Sequence, residues 1–446
     1  MSLRNLKPYV RINLTKGSAV SFRSCRPSER IVVPELVDCL WEGGGYGARK
    51  DRKPFRFKAY VPDPIAEWDN PLAARAADAV AKATAFVAQL QAAGIGPDLE
   101  AVAGPLLRAE AVGSSFIEGL RASNKRVALA AYEPLTADGT ARAVANNVTA
   151  MERVISHGTK GADFDVDGLL DIHRVLLEGT SETRFAGVIR TDQNWIGGRG
   201  ASPADAAFVP PPPDRVPGLL DDLVRFVNRD DLPAVAQAAI GHAQFETIHP
   251  FGDGNGRTGR CLIHVILRRR ALTSLFVPPV SVVLAASARL YVAGLTDFRE
   301  GRVDDWIGAF ADALSASAGA ARSLSEHIDV LLAELIQRAG NPRADSVARR
   351  IITGLPAQPI VSAEIAADRY HVTPTAARAA LNRLQEQAVL VPTRVGRRRG
   401  REWISDELFQ LLDAFEYDIA RTEDGRRRQA PSPTRPPRNT AVPKPE

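Results

Sequence analysis

Apolar residues recur at helical spacing along most of this chain. Between Asn70 and Leu107, positions Val80, Ala83, Phe86, Val87 and Leu90 follow a 3.6-residue repeat, and Gly94-Ile95-Gly96-Pro97 stops the first helix. The same periodicity predicts helices over 141–157, 167–178, 217–228, 232–248 and 257–270, with short breakers between them. Residues 194–213 interrupt the series, because Gly197, Gly198, Gly200 and four consecutive prolines exclude helix. A loop of that length points to function. From Val282 the helical pattern resumes to about Ala339, where Gly340-Asn341-Pro342 marks a boundary.

The flanks read differently. Residues 1–80 hold Gly43-Gly44-Gly45, the run Arg49-Lys50-Asp51-Arg52-Lys53, and Pro62 and Pro64, with little sustained periodicity. They predict an irregular segment packed on the larger body. Residues 346–415 predict helices over 346–353, 362–370 and 373–387, then Val389-Leu390-Val391 and Trp403-Ile404 around an arginine-rich turn, the order of a winged helix-turn-helix. The last segment, 421–446, is rich in Pro and Arg and is expected to stay disordered. The expected division is therefore 1–80 irregular, 81–320 a helical catalytic domain, 321–345 a helical linker, 346–420 the winged unit and 421–446 a basic tail, in a mainly α fold.

Composition narrows the class. A chain of 446 residues, 45% hydrophobic and 24% charged, predicts two or three folded domains. Cys25, Cys39 and Cys261 are scattered and have no metal-ligand spacing, which fits a reducing compartment. The opening MSLRNLKPYVRINLTKG lacks an apolar h-region, and there is no run of about 20 apolar residues, so a cytoplasmic location without membrane association is expected. The net charge of +5 is small, but its excess is concentrated near the C-terminus.

The densest chemistry lies in His249-Pro250-Phe251-Gly252-Asp253-Gly254-Asn255-Gly256-Arg257-Thr258-Gly259-Arg260. A glycine-rich turn opening a helix presents bare backbone N–H groups and the positive end of the helix dipole, a cradle for phosphate. Arg257 and Arg260 add charge-assisted hydrogen bonds, Asp253 suits a Mg²⁺ that bridges phosphate oxygens, and His249 is able to accept a proton near neutral pH. The run resembles the signature of the Fic family (filamentation induced by cAMP), HPFx[D/E]GNGRxxR, at every specified position. The resemblance implies a helical Fic core with a β-hairpin flap, and transfer of AMP from ATP to a Ser, Thr or Tyr hydroxyl of a target protein or of the chain itself. It also implies His249 as general base, Asp253 as the Mg²⁺ ligand and Asn255 at the α-phosphate. Arg257 then reaches the β-phosphate, Arg260 the γ-phosphate, and Gly252, Gly254 and Gly256 shape the cradle.

Two further segments resemble the family. Ser114-Ser115-Phe116-Ile117-Glu118-Gly119 looks like the inhibitory motif [S/T]xxxE[G/N], with Ser114, Glu118 and Gly119 at its specified positions. A carboxylate paired with Arg260 removes the cation that orients ATP, so Glu118 is expected to be an off switch. Residues 184–213 resemble the flap that aligns a target segment by strand addition, with Asn194, Trp195, Ile196, Gly197 and Gly198 as its core. Tyr291 either lines the adenine site or packs in the core. His173, His242, His264 and His327 lack spaced partners and read as packed or surface groups.

In the winged unit, Arg378 on the third helix and Arg397, Arg398 and Arg399 at the turn are placed to meet duplex DNA; the alternative is a docking or dimerisation module. The competing functions are thus a Mg²⁺·ATP-dependent adenylyltransferase, an enzyme that removes AMP from its target, and a nucleotide-sensing DNA-binding regulator. The family resemblance suggests a homodimer.

Overall fold

Two short strands precede the helices. In the computed structural model, which describes residues 35–44, 47–93, 99–158, 163–198, 201–274, 276–393 and 401–424, β1 (Glu35–Trp41) pairs antiparallel with β2 (Phe55–Val61). This corrects the expectation of an irregular segment over that stretch. Each strand is seven residues long, too short for a periodicity that stands out in sequence, and long-range contacts hold the pair. Tyr60 N–H donates to Val209 O at 2.9 Å, and Trp41 Nε1–H donates to Asp51 O at 2.8 Å.

The helices follow in order: α1 (Ala74–Ala93), α2 (Leu99–Ile117), α3 (Asn124–Tyr132), α4 (Gly139–His157), α5 (Val166–Leu177), α6 (Val216–Val227), α7 (Ala234–Ile248), α8 (Asn255–Arg269), α9 (Val280–Ala286), α10 (Ala288–Arg299) and α11 (Val303–Arg338). Side-chain caps set several starts: Ser123, Asp138 and Asp165 accept from backbone N–H groups of α3, α4 and α5. At the centre is α7, buried from Val235 to Ile248. Its residues are mostly small or apolar and its few polar ones do not gather on one face, so it can be wrapped by α1, α6, α8, α10 and α11. Its polar groups serve the wrapping: Gln237 Nε2–H closes the end of α6 at Phe226 O, and Ala239 O accepts from Trp306 Nε1. Phe245, Phe251, Trp306 and Phe310 are fully buried around it, and truncating any one to Ala costs about 3–5 kcal/mol.

The C-terminal unit contains α12 (Val347–Gly354), β3 (Ile360–Ser362), α13 (Ala363–Tyr370), α14 (Pro374–Glu386), β4 (Val391–Thr393), β5 (Glu402–Ile404) and α15 (Asp406–Asp424), with strands in the order β3-β5-β4. The expected boundary at 320/321 falls inside α11, which runs 36 residues without a break. Gly319 there faces open space and costs the helix too little to end it. Nor does the unit stand apart from the core. Asn124, at the start of α3, donates to Asp413 and Glu416 of α15, and Arg108 of α2 donates to Pro356 O at 2.6 Å. The tail expected to be disordered from 421 starts inside α15, which runs to Asp424. Cys25, residues 425–446 and the arginine-rich turn 394–400 lie outside the described residues. Among the described residues, no single helix is long and apolar enough to cross a membrane.

Candidate active site

The motif turn is made by local backbone geometry. Helix α7 ends because His249 adopts the left-handed conformation (φ 50°, ψ 61°), and Gly254 (φ 77°) is the cap from which α8 starts. Asp253 Oδ1 accepts from Gly254 N–H at 2.5 Å. The carboxamide of Asn255, expected at the α-phosphate, also braces the turn: Oδ1 accepts from Phe251 N–H and Nδ2 donates to Phe251 O, both at 2.9 Å. The amide keeps a second N–H beyond these two bonds. Gly252 packs against the Phe185 ring and Asp253 is exposed. Arg257 is 5% exposed, and its Nε and Nη1 have no hydrogen-bond partner among the described residues. Guanidinium donors left without a protein partner in so closed a place suit an anion or ordered water.

The end of α2 comes up against this cradle. Arg260, 1% exposed, donates from Nε to Ser114 Oγ at 2.9 Å, and from Nη2 to Ser114 O and Glu118 Oε1, both at 2.8 Å. A Cβ built on Gly256 would overlap Glu118 Oε1, so the carboxylate lies directly over the first turn of α8. That is the position favoured by an anion at a helix N-terminus. Burial acts to raise the Glu118 carboxyl, but Arg260, with Arg257 and His249 assisting, holds it below the usual carboxylate range. Gly119 follows in a left-handed turn (φ 78°).

His249 sits beside these groups with a largely buried ring. Desolvation pulls its imidazole down to about 4, and Arg190 adds to the depression, so the ring is neutral at physiological pH. Its Nδ1 lies 3.3 Å from Glu246 O. A carbonyl only accepts, so Nδ1 carries the hydrogen and Nε2 the free lone pair.

Residues 184–213 are stitched to the motif rather than laid out as a regular hairpin. Isolated bridges join Ile189 to Phe251 and Ile196 to Phe208, with single 3₁₀ turns at Thr183–Phe185 and Pro203–Asp205. Asn194 Nδ2 donates to His249 O and Phe251 O at 3.1 Å, and Trp195 meets the edge of Trp41 with ring centroids 5.8 Å apart. Gly197 and Gly198 are exposed, both with positive φ.

Two residues important to the site carried no sequence signal. Arg190, 7% exposed, donates to His249 O at 2.9 Å and Pro211 O at 2.6 Å, and so ties the motif to the proline run. His173, read as a packed histidine, stacks on Phe251 at 3.7 Å and accepts Gly187 N–H at Nδ1. Its Nε2–H therefore donates to Asp253 O at 2.9 Å and fixes the loop from behind. Tyr291 belongs to the core: it is 4% exposed, with its hydroxyl 2.8 Å from His242 Nε2. Arg378 lies in the C-terminal unit, 3.7 Å from Glu364, and Arg397, Arg398 and Arg399 lie outside the described residues.

Comparison with known proteins gives two adjoining matches. The Fic/DOC family N-terminal model covers residues 77–156 and the Fic/DOC family model covers 163–267. Protein adenylyltransferase fic-1 of Caenorhabditis elegans is 34% identical over 140 residues, 31% of this chain and 25% of that protein. A probable protein adenylyltransferase of Aquifex aeolicus is 36% identical over 99 residues, 22% of this chain and 28% of that one. The chain thus spans about a quarter of the length of these relatives. A solved Fic family protein from Desulfovibrio desulfuricans is 20% identical with a TM-score of 0.46, covering 77% of this chain and 98% of that one. The N-terminal model spans Ser114 and Glu118 and the other spans Arg260, the motif turn and the loop stitched to it, so residues 77–156 and 163–267 are similar to the Fic/DOC family.

Proposed function

We propose that this chain is a protein adenylyltransferase held off by Glu118, moving AMP from ATP to a hydroxyl of a target protein or of itself. The observation that carries the reading is the carboxylate of Glu118 lying over the N-terminus of α8 beside the unpaired donors of Arg257. An anion cradle filled by the chain's own anion is one that a polyphosphate must empty before it binds. Relatives named for adenylyl transfer, at 34–36% identity, favour that direction over removal of AMP.

The chain's residues divide the work. Backbone N–H groups of Asn255 and Gly256, with Arg257 and Arg260, hold the polyphosphate, and Arg190, Asn194, Asn255 and His173 keep the turn rigid. His249 Nε2 takes the target's proton as its oxygen attacks the α-phosphorus and pyrophosphate leaves. The exposed carboxylate of Asp253 suits Mg²⁺, which is usually bound by one or two carboxylates plus substrate phosphates and supplies charge neutralisation. In the C-terminal unit, the element order and the β3-β5-β4 sheet support the winged-helix reading.

Mass spectrometry of Glu118→Gly after incubation with ATP and Mg²⁺ tests the proposal. Self-modification by AMP is expected to exceed that of the wild type by about tenfold or more, since one charge-assisted pair is worth about 1.5–3 kcal/mol. A variant that neither gains an AMP adduct nor takes up Mg²⁺·ATP in calorimetry overturns it.

A further inference from the structure

We infer that Glu246, on the last turn of α7, is a positioning residue for His249: its carboxylate holds the Nδ1 side of the imidazole, so that Nε2 faces the target hydroxyl and the imidazolium formed there has a fixed counter-charge. The inference rests on the adenylyl-transfer reading and adds a residue that the family signature, beginning at His249, does not contain.

The placement follows from the backbone. The left-handed conformation of His249 turns the chain at the end of α7 and brings its ring beside residue 246. Nδ1 lies 3.3 Å from the Glu246 carbonyl and 3.8 Å from Oε2 of the same residue. Glu246 is 7% exposed, and its Oε1 has no hydrogen-bond partner among the described residues. A Cβ on Gly259 would stand 2.8 Å from Oε1, so α8 passes close to the carboxylate at a residue without a side chain. No cap or hydrogen bond among these contacts accounts for a buried carboxyl, which costs free energy wherever it is left unpaired.

The surrounding charges give it a task. Facing Glu246 are Arg260 from α8, Arg299 and Tyr291 from α10, Glu118 from the turn after α2, and His249 and His242 from its own helix. Arg260 is already bonded to Ser114 and Glu118. Arg190 and Arg299 both oppose a protonated His249, whereas Glu118 favours it. ATP must displace the Glu118 carboxylate from the cradle, so during turnover Glu246 is left to offset the two arginines. Burial pushes its carboxyl up to about 7, so the form already ionised at and above that pH is the one that faces the charge gained by His249. In the step itself, the target's O–H proton passes to Nε2 while its oxygen forms the bond to the α-phosphorus. The bond from phosphorus to the bridging oxygen breaks, and its electron pair leaves with pyrophosphate. The positive charge left on the ring lies 3.8 Å from Glu246 Oε2, while Nδ1–H stays on the Glu246 carbonyl.

The test compares Glu118→Gly with Glu118→Gly/Glu246→Gln, which keeps the side-chain volume. NMR titration of the imidazole resonance absent from His249→Ala should show an inflection near pH 7 in Glu118→Gly as Glu246 ionises beside the ring, and the Gln variant should lack it. AMP transfer at pH 7 should fall about tenfold in kcat with KM for ATP within about twofold, and Glu246→Asp should restore part of the loss. An inflection that survives in the Gln variant overturns the inference, as does a loss that appears in KM instead of kcat. If the inflection is lost with Glu246 but Glu118→Gly transfers no AMP, the pairing stands and the transfer reading falls.

Discussion

The turn 249–256 and the helix end 114–119 meet at Arg260, yet they are built in opposite ways. The turn is a local object: left-handed His249 and Gly254, and a carboxamide that bonds back four residues to Phe251, shape it within one short stretch. The helix end has no such self-sufficiency. Ser114 and Glu118 acquire their meaning from a guanidinium 146 and 142 residues away in sequence. The difference explains why a cradle can be recognised in sequence as a unit, while its regulator is a pair of ordinary polar residues until the fold joins them. It also separates their failure modes: damage to the turn should remove chemistry, and damage to the helix end should release it.

The largest test of that asymmetry is His249→Ala in the Glu118→Gly background. Loss of a general base should lower AMP transfer by about 10²–10⁴-fold while Mg²⁺·ATP still binds, read by mass spectrometry and calorimetry. If transfer survives at the parent rate, the turn is not the catalytic half of the pair. Asn255→Ala should follow in size, because it strands the buried N–H of Phe251 and cuts both braces of the loop. A loss of about 3 kcal/mol in urea unfolding is expected, and a near-neutral result would show that the turn does not depend on its own side chains.

The smallest effect concerns pH. Burial pulls His173 down to about 4 from the ordinary 6.5. A histidine depressed in the folded state stabilises it fully above the unfolded pKa, and that contribution is lost as pH falls from about 6.5 through 4. At pH 5 the loss from this ring is about 2 kcal/mol. Thermal unfolding of His173→Gln should therefore decline less between pH 7 and pH 5 than that of wild type; parallel slopes would mean that the ring is not held neutral behind Asp253.

Much of the helical order was legible from period alone. The predicted 141–157 and 217–228 meet α4 and α6 within a residue or two, since an apolar stripe at 3.6-residue spacing specifies a buried face whatever it packs on. The strands β1 and β2 were not legible, because seven residues of mixed alternation carry little signal and the pair is held from the loop through Tyr60 and Trp41. Asn255 was placed at the α-phosphate by the family resemblance alone, and its two bonds to the backbone of Phe251 were not legible, because they depend on the turn's conformation.

Sequence alone determined what depends on neighbours in the chain: helix spans, the glycine-bearing turn, and the residue types of an anion cradle with a base beside it. Tertiary structure alone decided what depends on groups brought together from afar: the seating of Glu118 over Gly256, where the resemblance had suggested only its pairing with Arg260, the hold of Arg190 and His173 on the turn, and the burial of Glu246 against His249. The division is physical. Backbone conformation is set over a few residues, whereas the energy of a buried charge is set by whatever the fold places within a few ångströms of it.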